Sequence, residues 1–221
     1  MRQFYILFKD QKWSPLGTKL TWSHYRELLS IKDMTKINYY IDISISQNLS
    51  KRQLHERIKS KEYERLDNDT KNKLIANEET TVSDFIKNSI LIKSKYNKKI
   101  SEKVLQRLIL EDISSFMKEL GNGFCFIDNE YKIKFGDRYN YIDLLLYNIK
   151  YKCYVVAELK ITELKSEYIG QITKYMNYID KNIKTFDEDY TIGIIICKRN
   201  NKFVIEYCSD SRIFFKEFVL I

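Results

Sequence analysis

The chain of 221 residues has one proline, six glycines, two histidines and four cysteines, and each scarcity removes a class of protein. So little glycine and proline excludes collagen-like, mucin-like and Gly/Pro-rich disordered chains. No apolar run approaches the roughly 18 residues needed to cross a bilayer, and residues 1–8 are too short for a signal-peptide core with its cleavage site. A cytoplasmic address with no membrane partner is expected. Cys125, Cys153, Cys197 and Cys208 form no CxxC pair, and only His24 and His55 could add imidazole, so a structural zinc site of about four regularly spaced ligands is not expected. Each cysteine has apolar neighbours in sequence and is expected as a buried thiol. What remains is 44% hydrophobic and 31% charged residues, the balance of an ordered globular protein with a core that needs no cross-links.

The net charge of +8 is unevenly placed. Residues 1–100 hold 20 Lys and Arg against 12 Asp and Glu, whereas residues 101–221 hold 18 of each. A basic front half that meets a polyanion and a neutral back half with another task is the reading this asymmetry favours.

Ser14-Pro15-Leu16-Gly17 reads as a turn. Over residues 18–66 apolar residues recur at spacings of three and four, among them Trp22, Tyr25, Leu28, Leu54, Ile58 and Leu66, which predicts three short helices. The third is marked by Ser50-Lys51-Arg52-Gln53, the Ser-x-x-Gln spacing of a capping box. Its polar face carries Lys51, Arg52, Arg57, Lys59 and Lys61, so a helix-turn-helix-like domain that binds DNA through those cations is one reading. An ordinary solvated face, shared with Glu56, Glu62 and Glu64, is the other.

Residues 67–100 read as a polar connecting segment, which places the boundary near residue 98: a helical domain over 1–98 and a second domain over 99–221. The second begins with a helix over 101–120, stopped by Gly121. Three β-rich runs follow, at 124–133, 139–147 and 153–159, separated by turn residues and expected as successive antiparallel strands. Residues 167–180 read as a helix, 191–197 as a buried strand beside a parallel neighbour, and 203–208 as a last strand. The order predicts an α/β fold with a mixed sheet flanked by helices.

Charged residues interrupt two of these runs. Asp143 breaks Tyr141-Ile142-Asp143-Leu144-Leu145-Leu146, and Glu158 and Lys160 end Tyr154-Val155-Val156-Ala157-Glu158-Leu159-Lys160. Residues two apart on a strand share a face, so Glu158 and Lys160 are neighbours while Leu159 points the other way. Two carboxylates on adjacent strands repel at close range, and a divalent cation relieves that repulsion. An oxygen-rich set without imidazole suits Mg²⁺ or Mn²⁺ better than Zn²⁺. A buried carboxylate–lysine salt bridge is the alternative on these residues alone.

Asp143 followed by Glu158-x-Lys160 resembles the signature of the PD-(D/E)xK nucleases, with Ile142 in the loosely specified position before the Asp. The flanking text is similar, segment by segment, to the YhcG-type family: Phe116-Met117-Lys118-Glu119-Leu120-Gly121-Asn122-Gly123-Phe124, the run around Asp143, Gly170-Gln171 with Tyr175, and Thr191-Ile192-Gly193-Ile194-Ile195-Ile196-Cys197. The front segments Leu20-Thr21-Trp22-Ser23-His24-Tyr25 and Asn48-Leu49-Ser50-Lys51-Arg52-Gln53-Leu54 match as well. The resemblance implies a restriction-endonuclease-like core and metal-dependent hydrolysis of DNA or branched DNA. By position it implies Asp143 and Glu158 as metal ligands, the Leu159 carbonyl as a third, Lys160 as the charge that positions water, and Gln171 as a polar group near the site. A double-strand cut is commonly made by a two-fold dimer, so a homodimer is admitted.

Two departures from the family matter. Its members extend further at the N-terminus, and on the helix before the sheet they place a Glu where this chain has Gln106. Matching the strand rise of ~3.3 Å per residue from Phe124 to about Tyr131 to the helical 1.5 Å leads back to about Gln106, and Glu102, one turn earlier, is the carboxylate that could substitute. Two functions stand against each other: a Mg²⁺- or Mn²⁺-dependent DNA endonuclease, and a catalytically weak nucleic-acid-binding or assembly subunit that keeps the nuclease fold.

Overall fold

The computed structural model describes residues 20–76, 78, 84, 86–96, 100–121 and 123–221. The turn expected at Ser14-Pro15-Leu16-Gly17 and the position expected for the boundary, residue 98, lie outside them. The chain divides into two compact units, residues 1–80 and 81–221.

The front unit contains α1 (Trp22–Leu28), α2 (Met34–Ser46), α3 (Lys51–Lys59), a 3₁₀ turn (Tyr63–Arg65) and α4 (Asn68–Ala76). At α3 the capping box forms in full. Ser50 Oγ accepts from the Gln53 amide and Gln53 Oε1 accepts from the Ser50 amide, which satisfies two donors that a helix start otherwise leaves open. Leu28, Ile37, Tyr40, Leu54 and Leu66 build the core, while Trp22, expected inside, is 49% exposed.

The second unit is a six-stranded mixed sheet with strand order β1-β6-β5-β4-β3-β2. Its strands are β1 (Ser89–Ile92), β2 (Phe124–Phe135), β3 (Arg138–Asn148), β4 (Cys153–Glu163), β5 (Asp189–Arg199) and β6 (Ile213–Leu220). β2, β3 and β4 are antiparallel neighbours, and β4, β5, β6 and β1 run parallel. The helices are α5 (Glu102–Glu111), α6 (Ile113–Leu120), α7 (Ser166–Asn182) and the short α8 (Lys202–Glu206). Over residues 144–146, 155–159 and 194–197 strand alternation divides the sheet. Leu144, Leu146, Val155, Ala157, Leu159, Ile194 and Ile196 join the core under α5 and α6, and Leu145, Val156, Ile195 and Cys197 join the core under α7. Both faces are covered, which is why β4 and β5 read as continuous apolar runs.

Three expectations are corrected. The segment read as a linker contributes α4 and β1, and β1 belongs to the sheet through its parallel pairing with β6, so the division falls near residue 80 and the second domain starts earlier than 99. The helix expected over 101–120 is two helices, because Asp112 leaves helical geometry (φ −132°, ψ 52°) and its carboxylate accepts from the Ser115 amide at the start of α6, the local competition that makes Asp a cap. The strand expected at 203–208 is α8, whose start is capped by Asn201 accepting from the Phe203 and Val204 amides; the closing strand is β6. The cysteines are all free thiols, but only Cys153 and Cys197 are buried, Cys125 and Cys208 being partly exposed.

Candidate functional site

The β3–β4 ladder ends at the pair Leu144 and Ala157. Asp143 and Glu158 are the next residue on each strand, where the two chains begin to part. Asp143 is held there by the Leu159 amide, which donates to its Oδ2 at 2.8 Å. Glu158 and Lys160 share a strand face, and the Lys160 ammonium donates to Glu158 Oε2 at 3.1 Å. Both are buried, Glu158 with 1% and Lys160 with 8% of its surface exposed. Glu158 Oε1 is buried and has no hydrogen-bond partner. An unpartnered buried carboxylate oxygen is costly.

The titration behaviour follows from burial and crowding. Burial, then the Asp143 charge, push Glu158 up to about 8. Burial also raises Asp143, against the pull of the Leu159 amide and of Lys160. Burial works against the Lys160 ammonium, but the charges of Glu158 and Asp143 outweigh it and hold Lys160 above the usual lysine value. The cluster has more carboxylate than cation to balance it, so Lys160 keeps its proton and Glu158 is the group that readily takes one up.

α5 and α7 complete the surroundings. Gln106, buried on α5, donates its side-chain amide to the Asp143 carbonyl oxygen at 2.9 Å, so the helix position matched to the sheet by length is the one that meets it. Glu102 is exposed on the first turn, and its negative charge contributes to the upward shifts of Asp143 and Lys160. Gln171 on α7 donates to the Tyr175 hydroxyl at 3.1 Å. Tyr175 feels Glu158, Lys160 and Asp143, and with Gln171, Arg138, Lys174 and Phe135 it lines a groove of about 670 Å³.

Two neighbours escape a sequence reading. The Lys160 ammonium lies 5.3 Å from the centre of the Tyr168 ring. Glu130 falls between the pairs Asn129–Leu144 and Tyr131–Ile142, opposite Asp143, with φ 50°, and its charge raises Asp143. An acidic residue within an expected strand was the sole sequence signal for Glu130, and the strand's register was needed to aim it.

The cations assigned to DNA on α3 are mostly engaged. Arg57 donates to Glu62 Oε2 at 2.7 Å with both side chains nearly buried, Lys51 pairs with Glu27 and Arg52 with Glu56. Arg57 is thus an internal strut of the front unit. Lys59 and Lys61 have no ion partner among the described residues.

Whether the site suits a divalent cation can be judged from its donors. Among the described residues no group of three or more carboxylate, imidazole or thiol side chains is gathered for a metal ion; Glu102, expected as the third carboxylate, stays on the exposed first turn because Gln106 holds the position facing Asp143. The two carboxylates where the β3–β4 ladder ends, one with an unpartnered oxygen and both raised, do fit a hard cation that keeps several of its own waters.

Residues 83–218 match the model of the YhcG PDDEXK nuclease domain, and residues 1–65 match that of the DUF1016 N-terminal domain. The chain belongs to the YhcG PDDEXK nuclease family. It is 26% identical over 199 residues to YhcG of Escherichia coli (strain K12), across 84% of this chain and 52% of that protein; it spans about half the length of this curated relative. Among solved structures it is similar to a repair endonuclease from Pyrococcus abyssi (TM-score 0.40, 18% identity, 55% of this chain and 48% of that one) and to the EndoMS–dsDNA2 complex (TM-score 0.41, 16% identity, 56% and 48%). The second unit is a mixed sheet flanked by helices, and an N-terminal helical unit precedes it in the chain. No helix among the described residues is long and apolar enough to cross a membrane.

Proposed function

We propose that this chain is a metal-dependent DNA endonuclease whose site is formed by Asp143, Glu158 and Lys160. The observation that carries this is Glu158: buried, raised to about 8 and with an oxygen left unpartnered, it is a group whose environment is completed by a cation. Asp143 and Glu158 would hold Mg²⁺ or Mn²⁺, with the Leu159 carbonyl beside them. Bound there, the ion would act as a Lewis acid on a phosphodiester oxygen and lower the pKa of a water. Lys160, kept protonated by its two carboxylate neighbours, supplies a fixed positive charge that orients the attacking water and offsets charge building on the phosphorus. Asp143 cannot swing away, because the Leu159 amide fixes one of its oxygens. Gln171 and Tyr175 present a polar pair to the groove on the α7 side, where a leaving strand can be received.

Gln106 favours a second reading. Its amide is spent on the Asp143 backbone and brings no charge to the metal, so a DNA-binding or assembly subunit with weak cleavage is consistent with this site. Nicking of supercoiled plasmid with Mg²⁺, Mn²⁺ or EDTA, wild type against Lys160→Ala, decides between them. The nuclease reading expects metal-dependent nicking that the variant loses by at least about a hundredfold; equal nicking by both proteins would overturn it, and no nicking by the wild type would favour the binding subunit.

A further inference from the structure

Beyond Asp143 the β2–β3 hairpin leaves the sheet. β4 pairs with β3 only as far as Leu144, yet five further pairs join β2 to β3: Tyr131–Ile142, Lys132–Tyr141, Ile133–Asn140, Lys134–Tyr139 and Phe135–Arg138. A two-stranded ribbon is marginal by itself, and this one is held from one side. Ile133 and Ile142 are 1% and 0% exposed in the core under α7. The alternate pairs, Lys132–Tyr141 and Lys134–Tyr139, form the opposite face, where Tyr139 and Tyr141 are 54% and 52% exposed and both lysines are exposed.

That face has the chemistry of a polyanion contact. The Lys132 ammonium lies 3.8 Å and the Lys134 ammonium 5.8 Å from the centre of the Tyr139 ring, and neither lysine is ion-paired among the described residues. The front helix α3 differs, since three of its four lysine and arginine cations are neutralised by Glu27, Glu56 and Glu62. The hairpin's acidic groups are Asp128, Glu130 and Asp143, toward its base, and Asp137 in its turn. The ladder carries charge that the fold does not consume.

We propose that this ribbon is the surface by which the protein holds double-stranded DNA, with Lys132 and Lys134 on backbone phosphates and Tyr139 and Tyr141 against sugar or base edges. The major groove, about 12 Å wide, admits a two-stranded ribbon. The ribbon starts at Asp143 itself, and Lys132 and Lys134, opposite Tyr141 and Tyr139, stand about 7 and about 13 Å along it, so the contacted phosphates lie about two to four base-pair steps from the scissile one at ~3.4 Å per step. The inference rests on the nuclease reading for where cleavage falls, but its binding face stands independently.

The test is fluorescence anisotropy of a labelled DNA duplex in EDTA, where no cleavage occurs, over a salt series with the full chain. Lys132→Gln with Lys134→Gln should weaken binding at least about tenfold and lower the salt slope by about two, with the melting temperature kept close to wild type. Lys132→Arg with Lys134→Arg should restore affinity, and Lys59→Gln with Lys61→Gln should change it less than about twofold. Wild-type affinity and slope in the hairpin Gln variant would overturn the proposal even if the wild type cleaves DNA. Loss of binding in that variant alongside a wild type that cleaves nothing would sustain the ribbon and sink the nuclease. Tighter binding of an RNA duplex of the same sequence than of DNA would overturn the occupant.

Discussion

Gln106 on α5 and Asp143 on β3 are joined by a 2.9 Å hydrogen bond from the glutamine amide to the aspartate's backbone carbonyl. The bond ties the helix to the strand at the point where the carboxylates meet, and it places a neutral side chain where a third carboxylate would strengthen metal binding. Gln106→Glu exchanges that donor for a negative charge beside two raised carboxyls. The variant is expected to melt lower than wild type in EDTA and to gain more from Mn²⁺ than wild type does. Calorimetric metal titration of both proteins checks this. Equal affinities would show that α5 contributes nothing to the metal.

Metal-free stability should fall as pH rises. Glu158 has an ordinary value of 4.5 and sits at about 8 in the folded protein, so between those values the folded state binds more protons than the unfolded one, and stability declines until pH 8 is passed. Asp143 is raised in the same direction, while Lys160 acts only at higher pH. Asp143→Asn keeps an acceptor for the Leu159 amide and removes the charge that, after burial, most raises Glu158. Thermal melts in EDTA from pH 5 to pH 8, roughly the window between those values, should show a shallower decline in the variant and a higher melting temperature at the alkaline end. Parallel curves would mean the two carboxyls are not coupled.

Arg57→Ala should destabilise the protein rather than merely weaken DNA binding. Glu62, with 5% of its side chain exposed, would be left without its guanidinium, a loss of about 3 kcal/mol. Urea melts measure it. A variant as stable as wild type but poorer at binding duplex DNA would return Arg57 to the nucleic-acid face.

At Gly193 the side chains of α7 pack closely on the sheet. A Cβ there would come within 2.7 Å of Met176 Sδ and 2.9 Å of Ile172 Cδ1. Ile172 Cδ1 ends its side chain and Met176 Sδ lies one atom short of the end of its own, so both can give way and Gly193→Ala should cost about 1–3 kcal/mol of overpacking without abolishing folding. Because α7 carries Gln171 and Tyr175, any cleavage activity should drop along with stability, and unchanged stability would mean the helix yields freely.

The sequence by itself determined the features that depend on near neighbours along the chain. Strand periodicity aligned Glu158 with Lys160 and put Leu159 on the other face, Ser50 and Gln53 announced their capping box, and the apolar run through Ile194 and Ile195 announced a strand covered on both sides. Asp143 was visible because a charge in an apolar strand must be satisfied by something. The tertiary structure decided what depends on a distant partner. Four residues, Ser89 to Ile92, become a strand only because β6 offers them hydrogen bonds. Arg57 looks like its neighbours on α3 until Glu62 draws it inward, and Glu130 gains its place opposite Asp143 from the pairing of β2 with β3, with a positive φ that no local pattern encodes. Lys132, Lys134, Tyr139 and Tyr141 read as an ordinary alternating hairpin; their exposure as one ladder follows from where β4 stops pairing and from α7 covering the other face. Backbone preference and side-chain period are local quantities, whereas pairing, burial and charge compensation are set by groups that folding brings together.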